Sequence, residues 1–486
     1  MKDVLVNIGH TAIAKVMLMA VQLAVATLLA RNLSAEDYGV FGFANVLMAL
    51  LLRLKGMGLT QAVVRTPELE PRTSNTAATL NIVFSISAFL CAQASAPLVG
   101  HLLGSPASVP VVRVLAFGFL LSPLGFLPTC LLIREMRFGI LRAPAVGAAV
   151  VRGIVAVALA VSGWKYWSLV IGDLMATLAN NGVLHLIRSV PYRWTLDREE
   201  IRRLLGYGVP LTLASLVTFV ALNVDNFAIG AALGAGSLGF YTVAFTWATF
   251  VCTTLQEVVH SVLFPKFSEI QRDIGRMRQA YVRSLLLVGF SAALINGALF
   301  VVADDFLFHI LGKGTARWLP AAQALRILCI YGVVRAMVET VGNPIMALGN
   351  TRLLLKATGL ASLVEIGLIP FVVRAYEIEG VSLLVTFAYS SQCLFYVPFI
   401  LKTLGVRWTA LLKVIIPIAA ALAMGVVAVF ALPNMDSLAW KASLLRLCVY
   451  LLTFLALHEL LSKGGILGET RLIWRTLVGR ATPTGG

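Results

Sequence analysis

Charge is what this 486-residue sequence has least of: only 13% of its residues are Asp, Glu, Lys or Arg, about half the share in an ordinary soluble chain. Apolar residues make up 59% and mean hydropathy is +0.88. Water-soluble domains cannot hide that much apolar side chain, and neither a disordered segment nor a collagen-like fibre has this composition. Cysteine is sparse as well. Cys91, Cys130, Cys252, Cys329, Cys393 and Cys448 all lie inside apolar runs and form no close CxxC pair. This excludes a disulfide-stapled scaffold and points to thiols that fill packing gaps. The chain has no Walker A, GxSxG or HExxH pattern. ATP hydrolysis, serine-hydrolase chemistry and a zinc site of those types are therefore not expected, and neither is a cofactor. The first apolar run carries Lys15 and ends at Ala30-Arg31-Asn32 without a small-residue cleavage site, so no cleavable signal peptide is expected.

What is present is a long alternation of apolar runs and short polar joints, the pattern of an all-α polytopic membrane protein. About fourteen transmembrane helices are predicted, at 8–30, 38–60, 76–100, 111–133, 143–163, 166–188, 208–233, 238–262, 284–303, 320–342, 354–375, 380–401, 411–432 and 441–461. The net charge of +16 would suggest nucleic acid in a soluble protein, but here the cations sit between apolar runs. With the N-terminus inside, 26 of the 39 Lys and Arg fall in or beside inner joints and tails and 6 in outer joints. That asymmetry predicts an N-in/C-in topology. Trp164, Tyr166, Trp167, Trp318 and Trp408 fall at span ends, as interface anchors do.

The chain also resembles itself at an offset of 200 residues: Leu33 matches Leu233, Ala35 matches Ala235, Gly39 matches Gly239 and Ala44 matches Ala244. Both segments fall at the outer turn between the first two helices of a half, as in a repeated transporter bundle. The expected organisation is an N-terminal six-helix lobe (1–188), a cytoplasmic linker (189–207) and a C-terminal six-helix lobe (208–401). Two further helices (402–461) and a cytoplasmic tail (462–486) follow. Asp197 to Arg203 within the linker reads either as an interfacial helix or as a solvated joint.

Ionisable groups inside the runs are the candidate site, because each costs at least about 2.5–3.5 kcal/mol to insert and normally meets a partner or water. Lys15 and Arg53 lie at comparable depth on adjacent helices. Either they snorkel to the cytoplasmic interface, or an anion between them relieves their repulsion. Arg152 and Asp173 lie in the fifth and sixth runs. Arg335 and Glu339 have the spacing of a helical ion pair, while Arg326 points away from Arg335. Glu257 and His260 share a face. Asp225 and Glu365 read either as ion or proton sites or as helix–helix hydrogen bonders.

Several segments, in order, resemble bacterial polysaccharide exporters of the multidrug/oligosaccharidyl-lipid/polysaccharide superfamily. They are Leu29-Ala30-Arg31-Asn32-Leu33 with Asp37-Tyr38-Gly39-Val40-Phe41, then Gly58-Leu59-Thr60-Gln61-Ala62. Leu131 to Phe138 (LLIREMRF) and Trp167-Ser168-Leu169-Val170 follow. In the second half they are Asn223-Val224-Asp225, Leu238-Gly239-Phe240-Tyr241 and Phe264-Pro265-Lys266-Phe267-Ser268. The resemblance implies two lobes around a cavity, alternating access, and no enzyme activity. The implied substrate is an undecaprenyl-diphosphate-linked oligosaccharide, flipped across the bacterial inner membrane for exopolysaccharide, capsule or O-antigen synthesis. On that reading Lys15, Arg53, Arg152 and Arg335 serve the diphosphate, and Asp225, Glu257 or Glu365 couples an ion. The partners are the lipid-linked substrate and the bilayer, with a polysaccharide polymerase and a chain-length regulator as possible associates and no nucleic acid. The alternatives are an ion-coupled multidrug antiporter, a lipid II flippase, or a membrane glycosyltransferase or polymerase.

Overall fold

Backbone in hydrocarbon must satisfy its own N–H and C=O groups, so apolar runs of this length fold as helices. The computed structural model describes residues 21–66, 68–102, 106–191, 193–432 and 440–462, and every regular element among them is helical. The first half holds α1 (21–32), α2 (Ala35–Gly56), α3 (Leu59–Arg65), α4 (Pro71–Leu102), α5 (Ser108–Leu115) and α6 (Phe117–Leu121). It continues with α7 (Pro123–Arg134), α8 (Phe138–Val161), α9 (Trp167–Ile187) and α10 (Arg198–Ala221). Then come α11 (Val224–Glu269), α12 (Ile274–Val301), the single turn α13 (Ala303–Asp305), α14 (Ala322–Ala347), α15 (Thr351–Ser390), α16 (Cys393–Lys402), α17 (Trp408–Phe430) and α18 (Trp440–Leu461).

Among the described residues, eleven helices are long and apolar enough to cross a membrane, or twelve with the bent pair Ser108–Leu121 and Pro123–Arg134, which meet at 48°. Fourteen were expected. Most of the first run, with Lys15, lies outside the described residues. The stretch Arg352–Lys402 passes as one apolar helix, although Glu377 breaks it with φ 48° and ψ −141°. The seventh run also differs: α10 begins ten residues earlier than predicted, at Arg198, and stops at Ala221, and the chain resumes at Val224 and breaks again at Gly234, whose φ is 84°. Trp318 lies in a 3-10 turn (Ala316–Ala321) and is fully buried by protein.

The chain divides into two compact units. The first is Met1–Thr242 with Val373–Ile378. Its α2 starts with a capping box: Asp37 N–H donates to Ser34 Oγ (3.1 Å), and Asp37 Oδ2 accepts from Ser34 N–H (2.9 Å). The other Asp37 oxygen accepts from the N–H of Tyr166 (3.1 Å), which ties this turn to the start of α9. The offset-200 repeat is seen here as a reciprocal crossing. A Cβ on Gly39 would overlap the carbonyl of Ala235, and a Cβ on Gly239 would overlap the carbonyl of Ala35. Backbones approach this closely only where side chains are absent. Arg134 donates to the carbonyls of Val63, Val64 and Thr66 at and just past the end of α3, where helix carbonyls run short of N–H partners. The segment before α10 is extended and strapped along α4. Its N–H groups at Arg193, Thr195 and Asp197 donate to Asn75 Oδ1, Thr79 Oγ1 and Thr76 Oγ1 at 3.1, 3.3 and 3.4 Å.

The second unit is Val243–Val372 with Glu379–Gly486. Its core joins α12, α14, α17 and α18 through Leu285, Ala293, Val333, Ile345, Ile418, Tyr450 and Phe454. Tyr450 donates to the Ala293 carbonyl at 2.8 Å, so the phenol enters this apolar core with its hydroxyl paired. Of the cysteines, Cys130 and Cys329 are buried, Cys91 and Cys448 exposed, and Cys393 half-buried. The Cys252 side chain lies outside the described residues.

Candidate substrate-binding cavities

Each unit contains a cavity of about 510 Å³, a size within the range of small-molecule sites. The first-unit cavity is lined by Asn45, Ser122, Asp173, Thr177 and Asn181, with Met48, Leu52, Leu115 and Phe119 among its apolar neighbours. Asp173 on α9 pairs with Arg152 on α8, so this expected cation is held by an acid. Lys55 on α2 is 7% exposed and donates to Ser122 Oγ, with no carboxylate partner among the described residues. Arg53 is exposed, two residues earlier on the same helix. Its Nη1 donates to the Ala49 carbonyl (3.0 Å), and its guanidinium lies 4.3 Å from the ring centroid of Phe219 on α10. That cation–π contact stabilises the charge without neutralising it. Asp225 is buried at the start of α11. Its Oδ2 accepts from Tyr241 (2.7 Å), and its Oδ1 from the N–H and amide of Asn226 (2.7 and 3.1 Å).

The second-unit cavity is lined by two polar stripes. On α14, Arg335, Glu339 and Asn343 recur every four residues, so they share a face. Tyr389, Gln392 and Tyr396 follow at helical spacing from the end of α15 into α16. Glu339, Asn343, Tyr389, Gln392 and Tyr396 all line the cavity. Glu339 Oε1 accepts from Arg335 Nε (2.7 Å) and from the Tyr389 hydroxyl (2.8 Å). The Tyr331 and Tyr389 rings flank Arg335, each centroid 6.0 Å from its guanidinium.

Arg152 and Arg335 thus each meet an acid, while Arg53 meets a ring. The suggested meeting of Arg53 with Lys15 lies outside the described residues, as does the side chain of Glu257. Glu365 is half-buried on α15. Lys55 was missed by sequence reasoning because it sits near the end of an apolar run, where a cation reads as part of the joint. The stripe 389, 392, 396 was missed although its spacing was visible. Tyr and Gln carry no charge, so they do not stand out within an apolar run.

Comparisons with known proteins add family and fold. The family model described as "Polysaccharide biosynthesis protein" matches residues 28–323. The chain is 26% identical over 350 residues to the lipopolysaccharide biosynthesis protein WzxC of Escherichia coli (strain K12), covering 69% of this chain and 68% of that one. It is 24% identical over 332 residues to the succinoglycan biosynthesis transport protein ExoT of Rhizobium meliloti (strain 1021), covering 68% and 66%. Among solved structures, the lipid II flippase MurJ in an inward closed conformation superposes with a TM-score of 0.76 at 15% identity, over 94% of this chain and 99% of that one.

Proposed function

Because this chain belongs to the polysaccharide biosynthesis protein family, we propose that it is a flippase. Its cargo is an oligosaccharide linked to undecaprenyl diphosphate, carried across the bacterial inner membrane by alternating access. The names of WzxC and ExoT support the polysaccharide context, and the likeness to MurJ supports the fold. The observation that carries the reading is the state of the cations in the first unit. Lys55 is bonded to Ser122, which lines the first-unit cavity, and Arg53 lies exposed two residues earlier on the same helix, neither with a carboxylate partner among the described residues. Uncompensated positive charge in an apolar bundle is costly, and a diphosphate is a ligand that repays it.

On this reading Lys15 and Arg53 hold the diphosphate and Lys55 adds positive charge from another face of α2, while Arg152 and Arg335 stay with Asp173 and Glu339 rather than binding it. Asp225, Glu257 and Glu365 are the candidates for ion coupling. The same reading takes 1–188 and 208–401 as the six-helix lobes, joined by the linker 189–207 and followed by the two added helices of 402–461. The reading of fourteen spans counts the first apolar run as one more span and the stretch broken at Glu377 as two, beside the twelve candidates among the described residues. The Lys and Arg asymmetry supports N-in/C-in. A polymerase and a chain-length regulator are the expected partners.

The test is transfer of a labelled undecaprenyl-diphosphate sugar between leaflets of proteoliposomes. Wild type accelerates it, and Arg53→Ala and Lys55→Ala each reduce the rate at least about tenfold, the factor that a lost contact to a charged group supplies. Wild-type rates in the double variant would refute the assignment of both cations.

A further inference from the structure

The second-unit cavity has a chemistry that the diphosphate does not explain. Its charges cancel, because Glu339 is paired with Arg335 inside the same cluster. A phosphate would meet the Glu339 carboxylate, and a metal or organic cation would meet the Arg335 guanidinium, so neither ion gains what it needs to leave water. What remains on offer is hydrogen bonding. Glu339 Oε1 is committed to Arg335 and Tyr389, and Oε2 makes no bond among the described residues, so a fixed acceptor is left over. Gln392 is 4% exposed, and its Oε1 accepts from the Tyr396 hydroxyl at 3.1 Å, which leaves the amide N–H pair as donors. Pro344 has no N–H to give the Thr340 carbonyl, so α14 lacks one of its own hydrogen bonds where it lines the cavity.

Against these polar groups stand apolar ones. The Tyr389 and Tyr396 side chains and the aliphatic Val288, Val338 and Leu354 line the same space. A sugar ring has this division: hydroxyls around its rim, each both donor and acceptor, and C–H groups on its faces. We propose that this cavity is a subsite for an uncharged sugar ring of the lipid-linked oligosaccharide, gripped by Glu339 and Gln392 and packed against the two tyrosines. The inference rests on the flippase reading and specifies which part of the cargo the second unit selects. Buried polar groups left unpaired by an analogue that lacks the hydroxyls are what make such a site discriminating.

The experiment measures binding of three probes to the full chain in nanodiscs: undecaprenyl diphosphate, the same lipid bearing one glucose, and the same lipid bearing one glucuronic acid. The glucosyl lipid should bind on the order of tenfold more tightly than the sugar-free lipid, the worth of one or two net hydrogen bonds. The glucuronyl lipid should lose that advantage through repulsion by Glu339. The ratio of glucosyl to sugar-free affinity should fall toward one in both Q392A and E339Q. Q392A leaves the ion pair intact and so remains informative if E339Q fails to fold. Equal affinity of wild type for glucosyl and sugar-free lipid refutes the subsite and leaves the flippase reading standing. Equal losses for both lipids in Q392A show that the residue only braces the helices, and refute it too. Binding of none of the three lipids refutes the flippase reading and the subsite together.

Discussion

The crossing of Gly39 with Ala235 makes a quantitative prediction with a control on the same helix. A Cβ at Gly39 would overlap a backbone carbonyl, which has no rotamer by which to escape, so α2 and α11 must move apart. Overpacking of this kind costs about 1–3 kcal/mol. Alanine in a helix interior returns about 0.5–1 kcal/mol of backbone entropy relative to glycine. The net for G39A is therefore a destabilisation centred on about 1 kcal/mol, within bounds of about 0 and 2.5. One turn along, a Cβ at Gly42 would lie 3.6 Å from Thr242 Oγ1, an ordinary contact. G42A keeps the entropy gain and meets no clash, so it should stabilise by about 0.5–1 kcal/mol. The two substitutions, chemically identical and three residues apart, should thus shift stability in opposite directions. G239A should behave as G39A does, since it meets the Ala35 carbonyl in the same way. The double variant G39A/G239A should cost less than the sum, because helices parted by the first Cβ leave room for the second. Unfolding in mixed micelles of a denaturing detergent, followed by tryptophan fluorescence, measures all four. Equal stabilities for G39A and G42A would refute the reciprocal crossing.

Three further outcomes follow from the ion pairs and caps. R152A should destabilise on the order of 1–3 kcal/mol by leaving Asp173 without its cation, and R152A/D173N should recover part of that loss in the same unfolding assay. Asp197 caps α10 by accepting from the N–H groups of Glu200 and Glu199 and also pairs with Arg72, which together hold its carboxyl below the usual carboxylate range. Its contribution is therefore present above the ordinary value of about 4 and lost as pH falls below it; D197N should flatten the acid side of a stability–pH curve, and an unchanged acid limb would remove Asp197 from the account. Asp225→Asn should abolish any ion dependence of lipid transfer if Asp225 couples an ion, whereas unchanged transport with lower stability would assign it to the Tyr241 hydrogen bond alone.

Helices and their membrane character were legible because composition and run length report directly on the solvent a chain folds in. The Arg335–Glu339 pair was legible for a similar reason: two charges four residues apart in an apolar run have one economical arrangement. The repeat at offset 200 was legible as letters. Its meaning, glycines each admitting the other's carbonyl, needed coordinates. Breaks at Gly234 and Glu377 were invisible because hydropathy averages over the dihedral angles of a single residue. The tyrosine and glutamine stripe of the second cavity escaped for a related reason: polar but uncharged side chains barely lower the hydropathy of an apolar run. Burial of Lys55 beside Ser122 was beyond reach, since depth near a helix end depends on what packs there.

The strap along α4 has a consequence for how this family can vary. Its bonds run from main-chain N–H groups of 193, 195 and 197 to side chains of Asn75, Thr79 and Thr76. Any residue other than proline can present those amides, so the tether is free to drift in sequence at 193 and 195. The information that docks it is stored more than a hundred residues away, in three polar letters on a helix that otherwise reads as ordinary membrane filler. Deleting one residue from the tether would put every donor out of phase with its acceptor, whereas rewriting its side chains would leave the docking intact.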